Sequence, residues 1–154
     1  MWESHIVVRM GATALIAATD AGENGDNSPR LTEKDRLEAI KVALAAGNDI
    51  EGEDRKGFHA MHMAANSGLR DIITFLLDKG AELNPHTKPR TVLALPISPQ
   101  TPLGIAEGTL NGGRYHERPE TADFLRKLGA KSEGRVTLEL YMKAATASEE
   151  NPAK

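Results

Sequence analysis

The chain has 154 residues, 40% of them hydrophobic but only 4% aromatic, with no cysteine and a formal net charge of −3. That length suits one domain, and the missing thiols exclude disulfides and cysteine-based metal sites. The slight acidity argues against general nucleic-acid binding, which needs a basic face, and no apolar run reaches the ~18 residues of a membrane span.

The first ten residues hold a short apolar run, Ile6-Val7-Val8, and the single tryptophan, Trp2. They lack the basic end and long apolar core of a signal peptide. The compartment stays open: cytoplasmic, or periplasmic or secreted if a leader has been removed. Ala14-Leu15-Ile16-Ala17-Ala18 reads as a first short helix. The acidic, turn-rich Asp20 to Pro29 reads as a loop. Thr32 is the expected N-cap of a second helix, with Asp35 three residues on as the acid of a capping box. That helix runs through Leu37, Ile40, Val42 and Leu44 to Gly47.

Two more short helices follow. Ala60 to Ala65 is closed by Gly68, and Ile72 to Leu77 by Gly80. In the second, Ile72, Ile73, Leu76 and Leu77 fall on one stripe. Each is about two turns long, too short to persist alone in water. Each must therefore bury its stripe against a similar neighbour. Between Pro85 and Gln100, four prolines (Pro85, Pro89, Pro96 and Pro99) forbid helix. The apolar Thr91 to Leu95 inside this stretch is expected to be extended. Thr101-Pro102 opens a further helix, since proline suits a first turn. Residues 108–119 read as another loop. Glu120 to Ala130 reads as a helix whose Arg126-Lys127 pair gives it a polar outer face, and Val136 to Ala145 as a last helix.

The segment Asp54 to His86 resembles an ankyrin repeat, a unit of about 33 residues made of a β-turn and two helices with a T-P-L-H-x-A core. The resemblance rests on His59-Ala60-Met61-His62-Met63-Ala64-Ala65, on Leu76-Leu77 with Gly80, and on the exit Gly80-Ala81-Glu82-Leu83-Asn84. His59 and Ala60 depart from it, standing where the family has Thr and Pro. Thr101-Pro102-Leu103-Gly104-Ile105-Ala106 matches the core more closely.

The implied fold is all-α, an α-solenoid of stacked helix-turn-helix repeats with β-turn fingers, one of them elongated. Register sets the units. Repeat 1 spans about 9–53 with an inserted loop at 20–31, because 59 − 13 = 46 exceeds the period by 13. Repeat 2 spans about 54–86. Repeat 3 spans about 87–131 with the long finger and an inserted loop at 108–119, and 132–154 is a C-terminal helix or tail. The whole resembles the C-terminal end of a bacterial-type array. Its polar last helix closes one end. The other end looks open, which suggests a longer array or a homodimer burying that end, with Trp2 as a packing plug or a contact to an upstream unit.

No catalytic motif is present: no G-x-S-x-G, P-loop or G-x-G-x-x-G. Gly112-Gly113 resembles a phosphate loop only superficially, with no strand expected before it. No cofactor is implied. His59 and His62 lie three apart, but zinc needs three or four ligands. By the resemblance, His62 instead braces neighbouring fingers through hydrogen bonds. The acidic group Glu38, Asp49, Glu51, Glu53 and Asp54 reads as solvated surface, or as a patch for a basic partner.

The resemblance implies a non-catalytic module that binds another protein on its fingers and inner helices. Carried onto this chain, those positions are Glu53, Arg55, Lys56, Phe58, Asn66 and Ser67, with Gln100 and Glu107 to Gly108 in the third unit. Phe58 is the expected anchor, because aromatic residues and arginine dominate interface hot spots. A second expected surface joins Arg114, Tyr115 and Arg118 to the acidic Asp20–Asp26 loop. Two other roles compete with the module: a C-terminal docking or regulatory segment of a larger enzyme or receptor, and a small-ligand or metal site in the inserted loops.

Overall fold

The apolar stripes read from the sequence decide how the helices pair. In the computed structural model, which describes residues 13–19, 31–111 and 113–150, three consecutive helix pairs stack. They are α1 (Ala14–Thr19) with α2 (Glu33–Ala45), α3 (Ala60–Ser67) with α4 (Arg70–Asp78), and α5 (Pro102–Glu107) with α6 (Pro119–Lys127). The first members form an inner row in which α3 packs on both α1 and α5, while α2 lies against α4 behind it. The solenoid expected from short mutually dependent helices is the observed architecture.

One apolar core runs through the stack. It takes Leu15, Ile40, Met61, Ile72, Ile73, Leu76, Leu103 and Leu125, with alanines at Ala60, Ala64, Ala65 and Ala106 on the inner helices and at Ala122 on α6. Each fully buried large aliphatic side chain contributes roughly 1.5–3 kcal/mol. On α2 the stripe differs from the expected one. Ile40 and Ala43 are buried, but Val42 is 69% exposed, one helical position off the buried face.

Polar groups tie the pairs together where helix ends leave backbone groups unpaired. Thr32 caps α2, accepting the Asp35 N–H while Asp35 accepts the Thr32 N–H in return. Leu69, at the N-cap of α4, has no side-chain oxygen to offer. Glu33 of the preceding pair supplies one, its Oε1 accepting the N–H groups of Asp71 (3.0 Å) and Ile72 (3.3 Å). Further along, Glu51 accepts the Glu82 N–H (2.7 Å) and Asn84 accepts the Lys131 N–H (2.7 Å).

His62 lies at the centre, with no exposed surface. Its Nδ1 accepts the His59 N–H at 3.0 Å, so the proton sits on Nε2, which faces the carbonyls of Pro85 and Gln100, both at 3.0 Å. One ring thus joins the start of α3 to both ends of the long finger. This is the bracing role the resemblance implied.

The long finger is a hairpin. β1 (Arg90–Val92) pairs antiparallel with β2 (Leu95–Ile97), Val92 opposite Leu95. Its two turn residues, Leu93 and Ala94, both have positive φ, 51° and 60°. Such turns favour Asn-Gly, and a side chain in the left-handed region costs roughly 1–2 kcal/mol. We expect Leu93→Asn combined with Ala94→Gly to stabilise the protein by about 1–2 kcal/mol. A thermal midpoint in the double variant no higher than that of the parent would show that the turn is not strained.

Residues 108–119 are not an irregular loop. They hold a second hairpin, β3 (Thr109–Asn111) with β4 (Arg114–His116). A strand therefore does stand before Gly113, but a strand also follows it, so Gly113 marks a hairpin turn and not a phosphate loop, while Gly112 lies outside the described residues. Val136 and Ile97 meet Leu110 in a small second core, with Val92, Leu95, Tyr115 and Tyr141 packed around it. The long finger, the insertion and the C-terminal extension thus pack on one another.

The extension first crosses the third unit as an extended strap. Val136 donates its N–H to Gly108 O (2.9 Å), and Thr101 donates its N–H to Glu133 O (3.2 Å). The contact is close because α5 presents Gly104 and Gly108 to it. A Cβ there would lie 1.9 Å from Glu133 O and 2.0 Å from Val136 O respectively. α7 (Leu138–Glu150) follows, longer than expected, with Tyr141 half-buried and Leu138 and Met142 exposed. Trp2, the Ile6–Val8 run and the Asp20–Asp26 loop lie outside the described residues, and with them the open end proposed as a dimer contact.

Candidate interaction surface

The finger before α3 is shaped by one carboxylate. Asp54 Oδ1 accepts the N–H groups of Lys56 (2.8 Å) and Phe58 (2.9 Å), and its carbonyl accepts the Gly57 N–H (3.0 Å). Asp54 is therefore buried, not part of the solvated acidic surface read from the sequence. The turn it holds puts Arg55 and Lys56 at the tip, both exposed.

The next finger lies directly alongside. Lys88 donates its N–H to Lys56 O (2.9 Å), and its ammonium meets Glu53 at 3.1 Å. Gly57 permits this approach, with φ at +77° and a Cβ position only 2.6 Å from Lys88 N. Beside it, the Arg90 guanidinium lies over the Phe58 ring, 5.0 Å from its centroid, and Phe58 meets His62 edge-on at 5.7 Å. Arg90 Nη2 donates to Gln100 Oε1 (2.6 Å) and Thr109 Oγ1 (3.2 Å). Its Nη1 is buried without a partner. Burial pushes the Arg90 pKa down, with Asp54 opposing. The group keeps its charge at neutral pH, as arginine does.

The expected site residues fall in separate places. Glu53, Arg55, Lys56 and Phe58 come together at the two fingers. Phe58 is half-buried, capped on one face by Arg90. Asn66 and Ser67 lie at the far end of α3, where Asn66 O accepts the Arg118 Nε–H at 2.9 Å. Arg114 is exposed on β4, while Tyr115 stacks on Tyr141 (6.1 Å between centroids) and donates its hydroxyl to Glu117 (3.0 Å). Burial first, and Glu117 second, raise the Tyr115 pKa.

Gln100 is a correction. It is 0% exposed and cannot meet a partner. Its amide is spent inside, accepting from Arg90 and Thr109 and donating to Gly108 O (3.3 Å). In the third unit it is the hairpin that covers this position. Glu107, expected beside it, is half-buried and paired with Arg126 at 2.6 Å.

Lys88 and Arg90 were missed. A register signal existed for the first, since 88 − 55 = 33 places Lys88 one period after Arg55. Among the described residues no three His, Asp or Glu side chains gather as a metal site would require, and no helix is long and apolar enough to cross a membrane.

The family model for the ankyrin repeat matches residues 56–88, which run from the Lys56 tip through α3 and α4 to Lys88. A serine/threonine-protein kinase, number 12, of Arabidopsis thaliana is similar to the chain, 34% identical over 70 residues. That stretch is 44% of this chain, and the chain spans only 15% of the kinase's length. Residues 56–88, which carry the helix pair and its finger contact, are thus an ankyrin repeat.

Proposed function

We propose that the chain is a non-catalytic module of three repeats that binds a protein partner on its fingers and the exposed ends of its inner helices. Ankyrin repeats are in general protein-protein interaction modules. One observation supports the face. The core consumes the apolar stripes of the helices, whereas Arg55 and Lys56 are held outward by a turn whose own acid is buried beneath them. A rigid surface of this kind binds without paying much ordering entropy.

Site-specific photo-crosslinking tests this reading. A crosslinker at Lys56 or Asn66 is expected to trap a partner in cells. One at Lys41, exposed on α2, is expected to trap none. Crosslinks to the same protein from Lys41 alone would move the site to the opposite face.

A second reading makes the chain a docking or regulatory segment of a larger enzyme. The similarity to a small part of a protein kinase favours it. A reading frame continuous with the codon for Met1 would support it.

A further inference from the structure

We propose that the paired fingers recognise an acidic segment of the partner protein, rich in Asp or Glu. This rests on the module proposed above and names the chemistry of what it binds. The two fingers bring together Arg55, Lys56, Lys88 and Arg90, in a chain whose formal net charge is −3. They are close neighbours: Lys88 is bonded through its backbone to Lys56, and Arg90 lies over Phe58, two residues further along.

The fingers' own acids offset this group only in part, and among the described residues they leave Arg55 and Lys56 unpaired at the tip. Asp54 is buried and occupied by two N–H groups of its turn. Glu53 is engaged by Lys88. Arg55 and Lys56 make no ion pair among the described residues. Arg90 is fixed by Gln100, Thr109 and the Phe58 ring and its remaining nitrogen is buried, so it adds charge behind the tip and no contact of its own. The exposed Arg55 and Lys56 can pair with an acidic partner, and the charge of the group steers its approach. Phe58 adds an aromatic edge to the patch, suited to an apolar residue within the acidic segment.

Nucleic acid fits less well. Its affinity comes from neutralising many phosphates along a track. Here the cations form one compact group with Glu53 inside it.

The test uses the full chain and fluorescence anisotropy with three probes: a short glutamate-rich peptide, its lysine-rich counterpart and a single-stranded oligonucleotide. The glutamate-rich peptide is expected to bind. Arg55→Glu with Lys56→Glu should weaken it about tenfold or more, as should raised salt. Lys34→Glu with Lys41→Glu on α2 makes the same change in net charge and should leave binding intact. Circular dichroism confirms that both variants fold. Equal binding of the lysine-rich peptide, equal loss in the α2 variant, or binding of the oligonucleotide in place of the peptide would overturn the proposal. A protein partner that crosslinks at Lys56 yet tolerates the finger reversal would sink the acidic assignment and leave the binding module standing.

Discussion

Gly104→Ala is expected to destabilise the protein by about 3 kcal/mol or more, against the ordinary sign of the change. In a helix interior alanine is normally better than glycine by about 1 kcal/mol. At Gly104 the added methyl would sit 1.9 Å from the carbonyl oxygen of Glu133. The obstacle is backbone, and that backbone is pinned. Glu133 O accepts the Thr101 N–H, Thr101 Oγ1 donates to Lys131 O (2.6 Å) and the Glu133 N–H returns to Thr101 Oγ1 (3.1 Å). Either the strap lifts and loses these bonds, each worth about 1 kcal/mol, or α5 shifts and loses its fit on α3. Overpacking alone typically costs about 1–3 kcal/mol.

Urea unfolding measures the total. Hydrogen exchange at residues 131–136 locates it, because lifting the strap exposes those amides. An alanine variant as stable as the parent would show that the strap does not rest on α5 as described.

His62→Ala is expected to cost about 3–5 kcal/mol at neutral pH. It opens a cavity in the core and leaves the His59 N–H and two carbonyls without their partner. The cost should depend on pH with a definite sign. In the fold, burial first and His59 second lower the His62 pKa from 6.5 to about 3. Protonation would also set a second N–H against the His59 N–H that Nδ1 now accepts. The neutral ring therefore contributes its full stability above about pH 6.5, and the contribution is lost as pH falls toward 3. Loss on the order of a few kcal/mol follows across that window.

The gap between parent and His62→Ala should thus narrow on acidification. A gap at pH 4 equal to that at pH 7 would contradict it. If the variant does not fold, NMR of the parent provides the same check, since the His62 ring should not titrate between pH 5 and pH 8.

The sequence alone determined the helices and their dependence on one another. Ile72, Ile73 and Leu76 announced a buried stripe, and Thr32 with Asp35 announced a cap, because both signals are local. Gly80 and the exit to Asn84 announced the repeat, which fixed the solenoid. The side chains bonded across units were not legible in the same way. Nothing near Leu69 in sequence shows that Glu33 caps α4, since the two are brought together only by stacking.

The third unit shows the division most clearly. Its prolines forbade helix, but Gly112-Gly113 was read as a loop when its flanks pair as strands. Gln100 was placed on a surface because register put it there. Its burial depends on two hairpins and the strap folding over the same spot. Periodicity reports which face of a helix avoids water, and so it found the core. Which polar side chains stay outside depends on what comes to cover them, and that is decided by distant parts of the chain meeting in space.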